Sequence, residues 1–139
     1  MGHFIEWVIP DRVVHVKITG AQTLEEIAVR SQEIIRLLDS SLMQHVHFIY
    51  DNSELTQLPS DLRGLKKSVT WTQHPKVGWV VSYNGRVGPV MYVVRVLTRF
   101  LNMKYSDQIS YAHALHFLVK KDPALGETIQ DFPEKSAAY

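Results

Sequence analysis

His45-Val46-His47-Phe48-Ile49-Tyr50-Asp51-Asn52-Ser53-Glu54-Leu55-Thr56-Gln57-Leu58-Pro59-Ser60-Asp61-Leu62 carries a strand, a polar connection and the start of a helix in one run. His45–Tyr50 is apolar and β-branched enough for a strand, with Val46, Phe48 and Tyr50 on one face and His45, His47 and Ile49 on the other. Asp51–Pro59 reads as a polar loop, and Ser60 as the cap of a helix whose inner side is Leu58, Leu62, Leu65 and Val69. His74-Pro75 ends that helix, because the residue before a proline avoids helical geometry. A strand feeding a capped helix is half of a βαβ unit, so the question becomes what flanks it.

On the N-terminal side, Phe4–Ile9 and Val13–Thr19 are β-rich runs around Pro10-Asp11-Arg12, which predicts a hairpin closed by Gly20. Thr23 and Glu26 then form a capping box, and Leu24, Ile27, Ala28, Ser31, Ile34, Ile35 and Leu38 make a helical stripe. On the C-terminal side, Val77–Tyr83 is a continuous apolar run suited to a strand covered on both faces. Asn84–Pro89 turns into a helix over Val90–Met103, a short strand follows around Lys104–Ile109, and Ser110 caps a helix over Tyr111–Lys121. The expectation is one α/β domain, residues 1–126, with a single open mixed sheet of about five strands and four helices. It begins with a hairpin and continues in right-handed βα units. Residues 127–139, polar and aperiodic, are expected to be a loose tail.

The ββαβαβαβα order resembles the STAS domain, the SpoIIAA-like fold of anti-sigma-factor antagonists. Phe48–Leu62 carries the detail: an apolar strand, Asp51-Asn52-Ser53, a hydrophobic interval, then Pro59-Ser60-Asp61-Leu62 where that family has Asp-Ser-Ser-Gly. Ile109-Ser110-Tyr111-Ala112-His113-Ala114-Leu115 is similar to the family's last strand and helix start. The resemblance spans about residues 4–121 and implies a non-catalytic regulatory module that binds a protein partner. Its expected binding edge is Asp51, Ser53, Ser60, Asp61 and Arg63. In the family the second serine of the tetrad is phosphorylated; here that place holds Asp61, a fixed carboxylate, and the glycine is Leu62. A working phosphoserine switch is therefore not expected.

Composition narrows the rest. The chain has 139 residues, 45% hydrophobic, and no cysteine, which excludes disulfides, thiol nucleophiles and Cys-bearing zinc sites. No apolar run is long enough to span a bilayer, so a cytoplasmic domain that does not cross the membrane is expected. Net charge is +1, yet residues 62–106 hold 8 Lys/Arg and no acid. Either this block pairs with the acidic first half or it forms a positive surface for an anionic partner. A specific nucleic-acid role is not expected, since no aromatic stacking platform is evident.

Gly85, Arg86 and Gly88 precede a helix start and form a candidate anion cradle, although the dinucleotide fingerprint is absent. Seven histidines supply no converging set of three ligands: His113 and His116 point away from the apolar stripe of their helix, so neither metal nor cofactor is expected. No serine sits in a nucleophile elbow, and Asp51, Glu54 and Asp61 show no acid/base differentiation, which argues against an enzyme. The Val90–Met103 helix gathers Arg95, Thr98, Arg99 and Asn102 on one narrow stripe and is apolar elsewhere. Such an excess is either buried between neighbouring helices and the tail or serves as a homodimer seam at Tyr92, Val96, Arg99 and Met103, a partner groove or a contact with an apolar ligand. The alternative function for the whole domain is binding of a small apolar or anionic ligand or of a membrane surface.

Overall fold

Residues 2–83 and 88–126 are described in a computed structural model, and they realise the predicted order with altered boundaries. β1 (Gly2–Ile9) and β2 (Val13–Ala21) are antiparallel, turned through Asp11 in the left-handed region at φ 66°. α1 (Leu24–Ser40) starts in the expected capping box: the Thr23 hydroxyl accepts from the Glu26 amide at 3.1 Å, and Glu26 accepts from the Thr23 amide at 3.0 Å. β3 (Val46–Gln57), α2 (Leu62–Ser68), a 3-10 turn (Thr70–Gln73), β4 (Val77–Tyr83), α3 (Pro89–Phe100), β5 (Tyr105–Gln108) and α4 (Tyr111–Lys121) complete the domain. The sheet order is β1-β2-β3-β4-β5, and every pair after the hairpin is parallel.

Two apolar layers sandwich this sheet. Val14, Val16, Ile34, Leu38, Val46, Phe48, Trp71 and Val80 fill the side bearing α1. α2 and α3 lie on that side too, as successive right-handed crossovers require. Ile9, Val13, Ile49, Val81, Leu115, Leu118 and Leu125 fill the other side, beneath α4. The continuous run Val77–Tyr83 is thereby covered on both faces, as its composition predicted. The expected tail falls on residues 127–139, outside the described residues.

Six expectations need correction. Asp51–Gln57 is not a loop but the second half of β3: Glu54 pairs with Thr19 and Leu55 with Gly20, after a register shift that follows the Lys17–Asp51 pair. Gly20 accordingly lies within β2 and does not end it. Beyond Asp51, which still pairs with Tyr83, the strand runs past β4 and pairs with β2 alone, so composition misled where tertiary pairing decides. α2 is capped by Asp61, not Ser60, with the carboxylate accepting from the Gly64 amide at 3.0 Å. A Cβ on Gly64 would sit 2.7 Å from Leu24 Cδ1, so this glycine lets α2 approach α1. α3 stops before Met103 because Asn102, at φ 54°, forms a Schellman turn: its amide reaches Arg99 O and the Met103 amide reaches Thr98 O, both at 3.0 Å. Thr98, assigned to the polar stripe, is buried, and its hydroxyl bonds back to Arg95 O at 2.9 Å. His45 lies ahead of β3 and shares no strand face with His47.

His47 is an internal latch. Its Nδ1 accepts from the Trp79 amide at 3.0 Å, which leaves Nε2 to carry the proton toward Asp122 Oδ2, also at 3.0 Å. Burial lowers the His47 pKa below its ordinary 6.5, outweighing Asp122, which raises it; His45 and Lys104 add to the lowering. Burial likewise lowers His15, against Asp51 and Glu6, while Lys17 lowers it further. A histidine whose folded pKa is depressed leaves the unfolded chain to bind protons first. Stability is then complete above pH 6.5 and is lost as pH falls through the lowered folded values. Thermal melts should therefore fall between pH 7 and pH 5, with His47 contributing at most about 1.4 kcal/mol per pH unit. A flat profile over that window would contradict neutral burial of these rings.

Candidate interaction surface and cavity

The five residues expected to share one edge separate into two environments. Asp51 is 8% exposed. Its Oδ1 accepts from the Ser53 amide at 2.9 Å, and its carboxylate accepts a hydrogen bond from the Tyr83 hydroxyl, which keeps its proton. That phenol oxygen lies 2.9 Å from His15 Nε2, and Tyr111 packs on the His15 ring with centroids 5.3 Å apart. Burial first, then the Asp51 charge, push the Tyr83 pKa up. Asp51 is thus a structural group at the sheet's centre, with Ser53 half-buried beside it. Ser60, Asp61 and Arg63 are exposed around the start of α2. Gly85 and Arg86 lie outside the described residues, and Gly88 is the N-cap of α3.

α2 and α3 together present a mixed apolar and basic face. Leu62, Tyr92 and Phe100 are exposed, Tyr92 by 68%, and Lys66 Nζ stands 5.0 Å from the centre of the Phe100 ring. Arg63, Lys67 and Arg99 are exposed nearby. None of the ion pairs among the described residues includes Arg63, Lys66, Lys67, Arg99 or Lys104. Arg95 pairs with Asp107 at 3.1 Å. Among the described residues the block's one ion pair to the acidic first half is His74–Asp39, while Lys76 Nζ donates to the backbone carbonyl of Ser41 and not to an acid. Pairing with the first half therefore does not account for the basic block. Val96 is half-buried, while Met103 packs against the core layer.

Behind this face, between α3 and the sheet, lies an apolar cavity of about 100 Å³. Leu97, Leu101 and Met103 line one wall, and Ile27, Leu65 and Trp71 line another. Tyr50, Asn52 and Ser82 rise from the sheet, and Arg30 enters from α1. One flank is closed by hydrogen bonds in which Ser82 and Tyr105 donate to Asp107 Oδ1 while Arg95 donates to Oδ2. Burial opposes ionisation of Asp107, yet these bonds and the Arg95 charge prevail and hold its carboxyl below the usual range. The same burial drives the Tyr105 phenol upward.

Arg30 was not singled out in the sequence. The clue is its spacing: 27, 30, 31, 34 and 38 lie on one helical face, so an arginine sits within the buried stripe.

A solved structure of the anti-sigma factor antagonist SpoIIAA, in its unphosphorylated form, superposes on this arrangement with a TM-score of 0.57. The alignment covers 86% of this chain and 97% of that one, at 14% sequence identity. The chain has the SpoIIAA-like fold. No family model and no curated protein matches it. The SpoIIAA-like core accounts for the sheet order, the α1–α3 layer and the lone α4 opposite. Among the described residues, no group of three His, Cys, Asp or Glu is placed to hold a metal ion, and no helix is long and apolar enough to cross a membrane.

Proposed function

We propose that this chain is a non-catalytic regulatory module that binds a protein through the α2–α3 face. The observation that carries this reading is Leu62, Tyr92 and Phe100 exposed among cations that make no ion pair. Apolar anchors ringed by charge are the ordinary make-up of a protein interface. The fold adds support, because the antagonist sharing it is a protein that acts on another protein. The partner surface is acidic opposite Arg63, Lys66, Lys67 and Arg99, carries apolar pockets, and presents a cation or N–H donor to Asp61, whose negative charge is permanent where that of a phosphorylated serine would be switchable. Self-association through Tyr92, Val96 and Arg99 belongs to the same proposal, with Met103 withdrawn from the seam.

Affinity capture with Phe100→Asp and Asp61→Lys beside the wild type, followed by titration of the purified captured protein, tests this reading. Phe100→Asp should weaken binding roughly tenfold or more, since truncation of an anchor costs 2 kcal/mol or more. Asp61→Lys should weaken it too. Unchanged affinity in both variants removes the assignment. Sedimentation equilibrium of the wild type and Tyr92→Asp at micromolar concentration shows whether a second copy occupies the face: a monomeric wild type removes the seam.

A further inference from the structure

Arg30 is 5% exposed, and its Nη1 donates to Gln22 Oε1 at 2.8 Å. Gln22 is held for this role, because its own Nε2 donates to Thr19 O at 2.9 Å. The guanidinium also hydrogen-bonds the Tyr50 hydroxyl, whose pKa burial pushes up to about 12 against the Arg30 charge, so the phenol stays neutral. None of the ion pairs among the described residues includes Arg30. A buried cation normally has an anion, since removing charge from water is costly. A guanidinium has five N–H donors, and two neutral acceptors do not use them all. Every fully buried side-chain polar atom among the described residues does have a partner. Two neutral acceptors leave guanidinium N–H groups over, and Arg30 lines the apolar cavity.

We propose that this cavity binds a small amphiphilic monocarboxylate, its carboxylate on Arg30 and its apolar body against Val94, Leu97 and Leu101. A planar carboxylate matches the guanidinium fork, and its single charge neutralises Arg30, the one Lys or Arg buried among the described residues. A dianionic phosphate carries a second charge into apolar walls and is disfavoured. A volume of about 100 Å³ suits a short chain, with the excess of a longer one leaving past the half-buried Leu55 and Leu58. This ligand is independent of the docking face, so failure of either proposal leaves the other standing.

Octanoate, its neutral counterpart octanamide and inorganic phosphate are titrated against the full chain, read by melting temperature and tryptophan emission, since Trp71 lines the cavity. Octanoate should raise the melting temperature and perturb the emission, bind roughly tenfold or more tighter than octanamide, and outcompete phosphate entirely. Arg30→Gln should reduce octanoate to the level of octanamide. Val94→Phe fills the cavity without touching the buried charge, and it should abolish binding of both while leaving the fold intact. Octanoate binding no tighter than octanamide, or binding unchanged in Val94→Phe, overturns the proposal; the latter result would place the anion on the exposed basic face instead.

Discussion

Phe48→Ala should destabilise the chain by about 3–5 kcal/mol, a large fraction of the total for a domain of this size. Phe48 is wholly buried at the centre of the sheet, paired with Val14 on one side and Val80 on the other. Its ring lies 4.8 Å from that of Trp71, which in turn stacks on Tyr50 at 5.9 Å. Truncation removes the transfer energy of the ring and leaves a void that rigid strands cannot close. It also unseats Trp71, which packs over the same layer. Urea unfolding should show the midpoint falling with little change in slope. Leu42→Ala is the control: Leu42 is 90% exposed, so its loss should stay within about 0.5 kcal/mol. A Phe48→Ala loss below about 1 kcal/mol would mean that this layer repacks freely.

Gly78→Ala should cost about 2–4 kcal/mol for a different reason. An added Cβ would lie 2.6 Å from His47 Cε1, closer still to Nδ1, and 3.3 Å from Val46 O. The imidazole has no room to retreat, since Trp79 N–H and Asp122 hold its two nitrogens. Either the β3–β4 spacing widens or the latch breaks, leaving a buried amide without its acceptor. The diagnostic is a double-mutant cycle with His47→Ala. Removing the ring should relieve much of the Gly78→Ala loss, giving strong non-additivity in the thermal melts. Additive losses would show that the clash lies elsewhere.

The sequence made the layer order legible because each βα unit announces itself locally. Thr23 and Glu26 mark one helix start, Ser110 another, and Val77–Tyr83 suits a strand covered on both faces. What it hid were features decided by distant partners. Asp51–Gln57 is polar yet extended because β2 lies beside it, and no local pattern shows that. Asp61 outcompeted Ser60 as cap although both were plausible acceptors, since its carboxylate reaches the Gly64 amide. Asn102 did carry a legible stop signal, a left-handed C-terminal residue. Of the candidate site, the residues at the start of α2 proved exposed, while Asp51 serves the interior. Arg30 was visible only as a polar intruder in an apolar stripe, and its meaning required the cavity behind it.

Each strand in this sheet lies beside the one that precedes it in the chain, so strands can dock in the order in which they are synthesised. One layer can close early, because α1, α2 and α3 each follow a strand already in place. The other cannot. Its cover is α4 and the Leu125 turn, which come last among the described elements, while the residues they shelter include Ile9 and Val13 from the first hairpin. A growing chain therefore carries a bare apolar sheet face through most of its synthesis, the kind of surface that recruits chaperones or aggregates. Protection of that face is a late event, and loss of α4 would leave a sheet with one finished side and one adhesive one.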